Sequence, residues 1–284
     1  MKLITKTLPN SHNLFLYGDQ HLGSVLSSQK AWDKLLNAVN SEYEGISNNY
    51  LVDGGDMMEA IMVDDPRFSA EKLTEALPLE QIKQAVKSRE PIKDKLLCIL
   101  QGNHERKLWR FGDITQEVCS QLGVPYGTYT IKLTVLDSKG ELMYKLYDTH
   151  GFRGITSCAD DPKRRMVNQQ LILKRQLRFQ AGDCAVMIKH HVHKLFVCKP
   201  EPELYLTDDT KEIKQAYTSW GQNEPFIHPD LRWYGVAGSF LKLFGKNVSG
   251  YAEVFELNPV ELGFLVLVVR NRKIVDLRPY HLKL

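Results

Sequence analysis

A chain of 284 residues, 43% apolar and 25% charged, can bury a sizeable core as one large domain or two small ones. Its formal net charge of +3 is too weak to direct the whole molecule to nucleic acid or a membrane surface. The longest apolar run, near residues 262–269, falls far short of the roughly 20 residues a membrane helix needs, and it reads as a buried strand.

The first predicted strand is 13–17, and it runs into Gly18-Asp19-Gln20-His21. Residues 27–40 have helical spacing through Trp32, Leu35, Leu36 and Val39, with serines placed to cap the start. A strand at 50–52 ends in Asp53-Gly54-Gly55-Asp56. A long helical region follows at about 70–88, with Pro78 expected to break or kink it. The strand 95–100 ends in Gln101-Gly102-Asn103-His104-Glu105. Strand and helix alternate through this opening third, as in βαβ units.

Residues 128–136 and 141–147 read as two strands around the turn Asp137-Ser138-Lys139-Gly140, the second ending at Asp148-Thr149-His150-Gly151. A helix is expected over 163–179, then a strand at 184–188 ending in His190-His191-Val192-His193. The last third reads as strands at 203–206, 233–237, 251–257, 262–270 and 273–277. No repeat, low-complexity tract or linker interrupts the chain, so 1–284 reads as a single domain with two sheets and outer helices. Five cysteines (Cys98, Cys119, Cys158, Cys184 and Cys198) are irregularly spaced without a CxxC pair, and no signal peptide is recognisable. Reduced, mostly buried thiols in a cytoplasmic protein are the simplest expectation.

The chemistry lies in a recurrence. Five predicted strands end in a short loop holding Asp, Asn or His: Asp19 and His21, Asp56, Asn103 and His104, His150, and His191 and His193. Strand ends of α/β sheets are where ligands collect. Imidazole nitrogen, carboxylate and amide oxygen suit zinc, iron or manganese, and no cysteine joins the set as it would in a structural zinc site. Asp19 and His21 point the same way in an extended segment, and so do His191 and His193. Each motif alone also fits a surface loop or a helix cap; the five in order form a coherent set.

In this order the motifs resemble the calcineurin-like metallophosphoesterase family: Asp19-Gln20-His21, Gly55-Asp56, Gly102-Asn103-His104-Glu105, His150, and His191-Val192-His193. The resemblance covers roughly residues 13 to 194. The remainder is similar to a subset of small phosphoesterases found in phage and prophage genomes, through His150-Gly151-Phe152-Arg153-Gly154, Gly238-Ser239-Phe240-Leu241 and Gly250-Tyr251-Ala252-Glu253. One departure stands out: His190 occupies the place of a usual glycine, where a side chain is expected to shift the loop or crowd the site.

The resemblance implies a four-layer α/β/β/α sandwich with two mixed sheets. It implies two divalent metal ions, manganese first and iron or zinc as alternatives. One ion would be held by Asp19, His21, Asp56 and His193, and the other by Asp56, Asn103, His150 and His191, with Asp56 shared. A metal-bound hydroxide would then attack the phosphorus of a phosphate ester without a covalent enzyme intermediate. His104 would serve the leaving oxygen, and Glu59 would orient His104, the alternative for Glu59 being an exposed acid in a first helical turn. Arg106, Arg110 and Arg153 are candidates to clamp phosphate, with solvated arginines as the alternative. The predicted helix 163–179 carries Lys163, Arg164, Arg165, Lys174, Arg175 and Arg178. It reads either as a nucleic-acid track or as a solvated amphipathic helix with Met166, Gln170, Leu173 and Leu177 facing the core. The expected activity is that of a phosphodiesterase, with nucleic acid a candidate substrate. A phosphomonoesterase or nucleotide pyrophosphatase and a catalytically silent binding module are the alternatives. The setting would be the cytoplasm of a bacterial or phage-infected cell; oligomeric state is left open.

Overall fold

Alternate residues of the strand His12–Tyr17 enter different cores. Leu14 and Leu16 join one apolar cluster, Phe15 and Tyr17 another. An extended chain does this when both of its faces are covered. This arrangement is seen in a computed structural model that describes residues 1–65, 68–221, 224–248 and 251–283, and of residue 251 the backbone only.

In chain order the elements are β1 (Lys2–Thr7), β2 (His12–Tyr17), α1 (Gln29–Asn40), β3 (Asn49–Asp53), α2 (Pro78–Arg89), β4 (Leu96–Ile99), α3 (Asn103–Lys107), α4 (Ile114–Leu122), β5 (Thr130–Leu136) and β6 (Leu142–Thr149). They continue as α5 (Pro162–Leu177), β7 (Val186–Lys189), β8 (Leu195–Cys198), β9 (Leu204–Asp208), β10 (Ile213–Tyr217), β11 (Trp233–Ala237), α6 (Tyr251–Val254), β12 (Gly263–Arg270) and β13 (Lys273–His281).

The fold is mixed α/β. A five-stranded sheet has the order β13-β12-β2-β3-β4; β2, β3 and β4 run parallel, and β12 is antiparallel to both β2 and β13. A six-stranded sheet has the order β1-β5-β6-β7-β11-β8, with β6, β7 and β11 parallel to one another. The pair β9–β10 stands apart as an antiparallel ribbon with almost every side chain exposed. One apolar cluster joins β2 and β3 to α1, α2 and α4 through Phe15, Trp32, Leu35, Ile82 and Val118. A second draws on both sheets, with Leu14, Leu16 and Leu267 from one and Ile131, Leu146 and Ile188 from the other. A third joins Met187 and Val236 to Leu173 and Leu177 of α5. Among the described residues, no helix is long and apolar enough to cross a membrane. All five cysteines are free; four are buried and Cys158 is exposed.

Local chemistry sets the boundaries. Ser28 caps α1 by accepting from the Ala31 N–H. Pro78 does not kink a longer helix; it opens α2, where its missing N–H costs nothing, and residues 70–72 form a separate 3₁₀ turn. The expected strand 251–257 is instead the short α6 followed by a turn. Glu253, Val254 and Phe255 are all exposed, so no strand-like alternation of burial develops. The family-like Gly250 lies outside the described residues. Strands β1, β8 and β10 and helix α4 are additions to the sequence reading.

Candidate metal centre

The parallel strands β2, β3 and β4 end at the same edge of their sheet, as do β6 and β7 of the other. The loops that follow carry all the predicted ligand residues. Asp19, His21 and His193 present donor atoms within 4.8 Å of one another, and so do Asp56, His150 and His191. His193 Nε2 lies 3.2 Å from Asp19 Oδ1 and 3.3 Å from His21 Nε2. Asp56 Oδ2 lies 3.3 Å from His150 Nε2 and 3.9 Å from His21 Nε2, between the two groups. Asn103 Oδ1 reaches His150 Nε2 at 2.9 Å. All seven side chains therefore converge, from strands of both sheets.

The outer ring nitrogens are fixed. His150 Nδ1 donates to the Gly54 carbonyl at 2.8 Å, and His21 Nδ1 meets Glu59 Oε2 at 2.9 Å. Such partners leave the Nε2 atoms to face a metal. Asp19 Oδ1 is buried and accepts no hydrogen bond. An orphaned carboxylate oxygen beside two inward imidazole nitrogens fits a divalent cation, and these groups could hold one. The backbone fits as well. Asp19, His21, Asp56, His191 and His193 all have φ between 50° and 72°. A left-handed conformation costs a non-glycine residue about 1–3 kcal/mol, and such strain collects at functional sites.

Electrostatics without an ion follow the same geometry. Burial would raise Asp19, but His193 outweighs it and holds the carboxyl at about 2. Asp56 is likewise driven well below the carboxylate range, against burial, by His150 and His104. Burial lowers His21 and His150, yet Glu59 in the first case and Asp56 in the second lift each to about 9. His104 and His191 go the other way, to about 4, chiefly through burial.

The contact between Glu59 and His104 differs from the expected one. The Glu59 carboxylate bonds His21, and it is the Glu59 backbone carbonyl that accepts from His104 Nδ1, at 2.5 Å. His104 also donates its backbone N–H to Asp56 Oδ1 at 2.9 Å and packs edge-on against His21. His190 neither shifts the loop nor crowds the centre. Its ring turns inward, 3.0 Å from Asp148 Oδ1 with both side chains fully buried. It lies flat on the chain at Gly54, where a Cβ would fall 2.2 Å from the ring, so only glycine leaves it room.

Three supporting residues carry no assigned role in the sequence reading. Glu105 is fully buried and accepts from the N–H groups of Asp56, Gly102 and Met58 at 3.1, 3.0 and 3.1 Å, tying the second ligand loop to the third. Burial and the Asp56 charge push it up to about 7. Ser239 donates to the Asp19 carbonyl at 3.1 Å and braces the first loop. Ser239 and Phe240 are fully buried, so this segment packs inward and does not line an open groove. Gln20 accepts from Arg89, which itself pairs with Asp53. All three stand in motifs that the sequence reading quoted, but residue identity alone assigned none of them a supporting contact.

Of the candidate phosphate-binding residues, Arg106 lies over the Tyr129 ring at 5.7 Å, and that ring stands edge-on to His150. Arg153 is exposed on the loop after His150. Arg110 is exposed, 3.8 Å from Asp64. In α5, Lys174 is engaged by Glu201 and Asp230. No protein-family model and no curated protein matches the chain.

Proposed function

We propose that this chain is a dinuclear metal-dependent phosphodiesterase of the calcineurin-like metallophosphoesterase type. The observation that carries the proposal is the position of Asp56, whose Oδ2 lies between the His21 and His150 nitrogens, where one carboxylate can serve two ions. The three apolar clusters, one helix-covered on each side and one drawn from both sheets, support a four-layer α/β/β/α sandwich.

Asp19, His21, Asp56 and His193 would hold one ion, and Asp56, Asn103, His150 and His191 the other. The mixed nitrogen and oxygen donors suit manganese, with iron or zinc as alternatives. When bound, two such ions supply Lewis-acid charge for a phosphoryl group and acidify water. The protein side of the reaction is positional. Glu59 and the Gly54 carbonyl orient the His21 and His150 rings. Glu105 locks the two loops carrying Asp56 and Asn103. His104 is anchored at Nδ1 by the Glu59 carbonyl, so its Nε2 serves the leaving oxygen as acid or hydrogen-bond donor only in the imidazolium form, which an adjacent phosphate anion would favour against the burial that favours the neutral ring. Arg106, over the Tyr129 ring that stands edge-on to His150, and Arg153, next to the Phe152 that stacks on His191, are the arginines placed for a non-bridging phosphate oxygen.

The test combines metal analysis with a panel of bis(4-nitrophenyl) phosphate and 4-nitrophenyl phosphate. Two manganese ions per chain and faster turnover of the diester are expected, with both lost in Asp56→Asn. A manganese-loaded Asp56→Asn variant that stays near wild-type activity would refute the shared-ligand assignment. Faster monoester turnover would move the reading to a phosphomonoesterase, and an inert manganese-loaded protein would leave a binding module.

A further inference from the structure

We propose that the substrate is single-stranded nucleic acid, held by a base-stacking and phosphate-binding subsite that runs from Phe152 along the loop 151–158 to α5. This inference rests on the phosphodiesterase reading for its chemistry but not for its binding surface.

The stacking element is Phe152. Its ring lies nearly parallel to that of His191, at 5.4 Å and 19°, and it is 73% exposed. An exposed phenyl ring fixed on a ligand histidine offers a flat apolar face directly beside the centre. Every nucleobase has a π-face that can use such a platform, whatever the sequence.

The second element is a band of uncompensated cations. Lys189 is buried, with its Nζ under the loop: a Cβ at Gly151 would fall 2.4 Å from it, and Gly151 has a φ of +74°. Arg153, exposed on the same loop, is the charged group that acts on Lys189. Lys194, directly after His193, donates to the Ile155 carbonyl and faces Arg165 of α5. Arg165 donates to the Ala159 carbonyl. Among the described residues no carboxylate lies within ion-pair distance of any of these four. Arg153, Lys194 and Arg165 line this loop without an ion pair of their own and form a site for more than one phosphate, beyond the single group the metal centre would hold, while Lys189, buried beneath the loop, adds charge without contact. The band continues into an open groove of about 370 Å³ between residues 156–158 and α5, where Arg175 and the exposed Leu171 form one wall. A mononucleotide or an isolated phosphate would leave this band empty. A duplex would hold its bases in the stack, away from Phe152. A flexible strand satisfies both the ring and the cations.

The experiment is fluorescence anisotropy of the full chain with a short labelled oligothymidylate in EDTA, so that binding is read without turnover. Hydrolysis of bis(4-nitrophenyl) phosphate with manganese is measured in parallel. We expect a log–log salt slope near −2, about −0.7 for each of the three reachable cations on a single strand. Phe152→Ala should weaken oligothymidylate roughly 5- to 150-fold and leave an abasic strand of equal length unaffected. Arg153→Ala with Arg165→Ala, both at exposed positions, should cut the salt slope by about two thirds, whereas Lys30→Ala on α1 should leave it unchanged. Equal binding of oligothymidylate by wild type and Phe152→Ala would overturn the proposal. So would a phosphoserine peptide or a duplex binding more tightly than the strand. Diester hydrolysis without strand binding would leave the catalytic reading standing and remove this one; strand binding without hydrolysis would do the reverse.

Discussion

Replacing Arg89 with methionine tests the framework beneath the metal centre. Arg89 is fully buried at the end of α2. Its Nε donates to Asp53 Oδ2 at 2.7 Å, its Nη1 donates to Gln20 Oε1 at 2.9 Å, and its guanidinium covers the Trp32 ring at 5.2 Å. Asp53 is also fully buried, and its other oxygen accepts from the Gly55 N–H at 3.0 Å. Methionine fills much of the same space but leaves the Asp53 carboxylate in the interior with that single donor. Breaking a buried ion pair on one side costs about 3–5 kcal/mol, more than the pair contributes over an apolar replacement. At about 2 °C per kcal/mol for a chain of this size, the melting temperature falls by about 6–10 °C. Removing the stranded charge as well, in Asp53→Asn/Arg89→Met, should recover about half of that loss or more, because the new amide oxygen can still accept from the Gly55 N–H. Urea and thermal melts of both singles and the double followed by circular dichroism give the coupling energy. A single Arg89→Met variant that loses less than about 1 kcal/mol, or strictly additive losses, would mean that the buried charge is not what holds these loops.

Other outcomes follow from the same geometry. His104→Ala should slow diester hydrolysis by about 10²–10⁴-fold with metal content unchanged; loss of metal by elemental analysis would make His104 a ligand. Gly54→Ala should destabilise by about 1–3 kcal/mol by overpacking against His190, and pairing it with His190→Gly should remove most of that penalty in urea melts. Asp183 lies 2.7 Å from both Lys132 and Lys145, which outweigh its burial and depress its carboxyl. Its folded pKa is thus below the unfolded value of about 3.9. The stabilisation is present above that value and lost as pH falls through the folded one. Urea midpoints of wild type and Asp183→Asn should therefore differ at pH 7 and converge below about pH 4.

The parts of this fold legible in the sequence were those with a local signal. Ser28 announces α1, and the ligand loops announce the strands before them. The turn around Gly140 announces the hairpin β5–β6, with Asp137 accepting from Lys139 and Glu141. Helix α4 carried an equal local signal that the sequence reading missed: Asp113 caps it, Ile114, Val118 and Leu122 share a face, and Gly123 closes it in the left-handed region. β1 and β8 had no such signal, because their pairing partners, β5 and β11, are supplied by distant sequence. The segment 251–257 shows the converse failure, since Tyr, Val and Phe favour strands only where a neighbour exists to pair with them. Within the site, residue identity found the inward-facing side chains. It could not find that Glu59 would serve His21 through its carboxylate and His104 through its backbone, or that His190 would face away.

The order in which the chain can assemble follows from where β2 sits. Its neighbour β12 pairs Leu265 with Leu16, and Ser239 reaches back 220 residues to the Asp19 carbonyl. The loop that offers the first candidate ligands is tied early to the Gly55–Asp56 backbone, but it has an unfinished strand edge and lacks the Ser239 brace until the ribosome has released nearly all the residues described. Contacts of such long sequence separation form late and slowly. Loading of the proposed metal ions should accordingly be one of the last events of folding, a step that stabilises a nearly finished molecule and does not nucleate it.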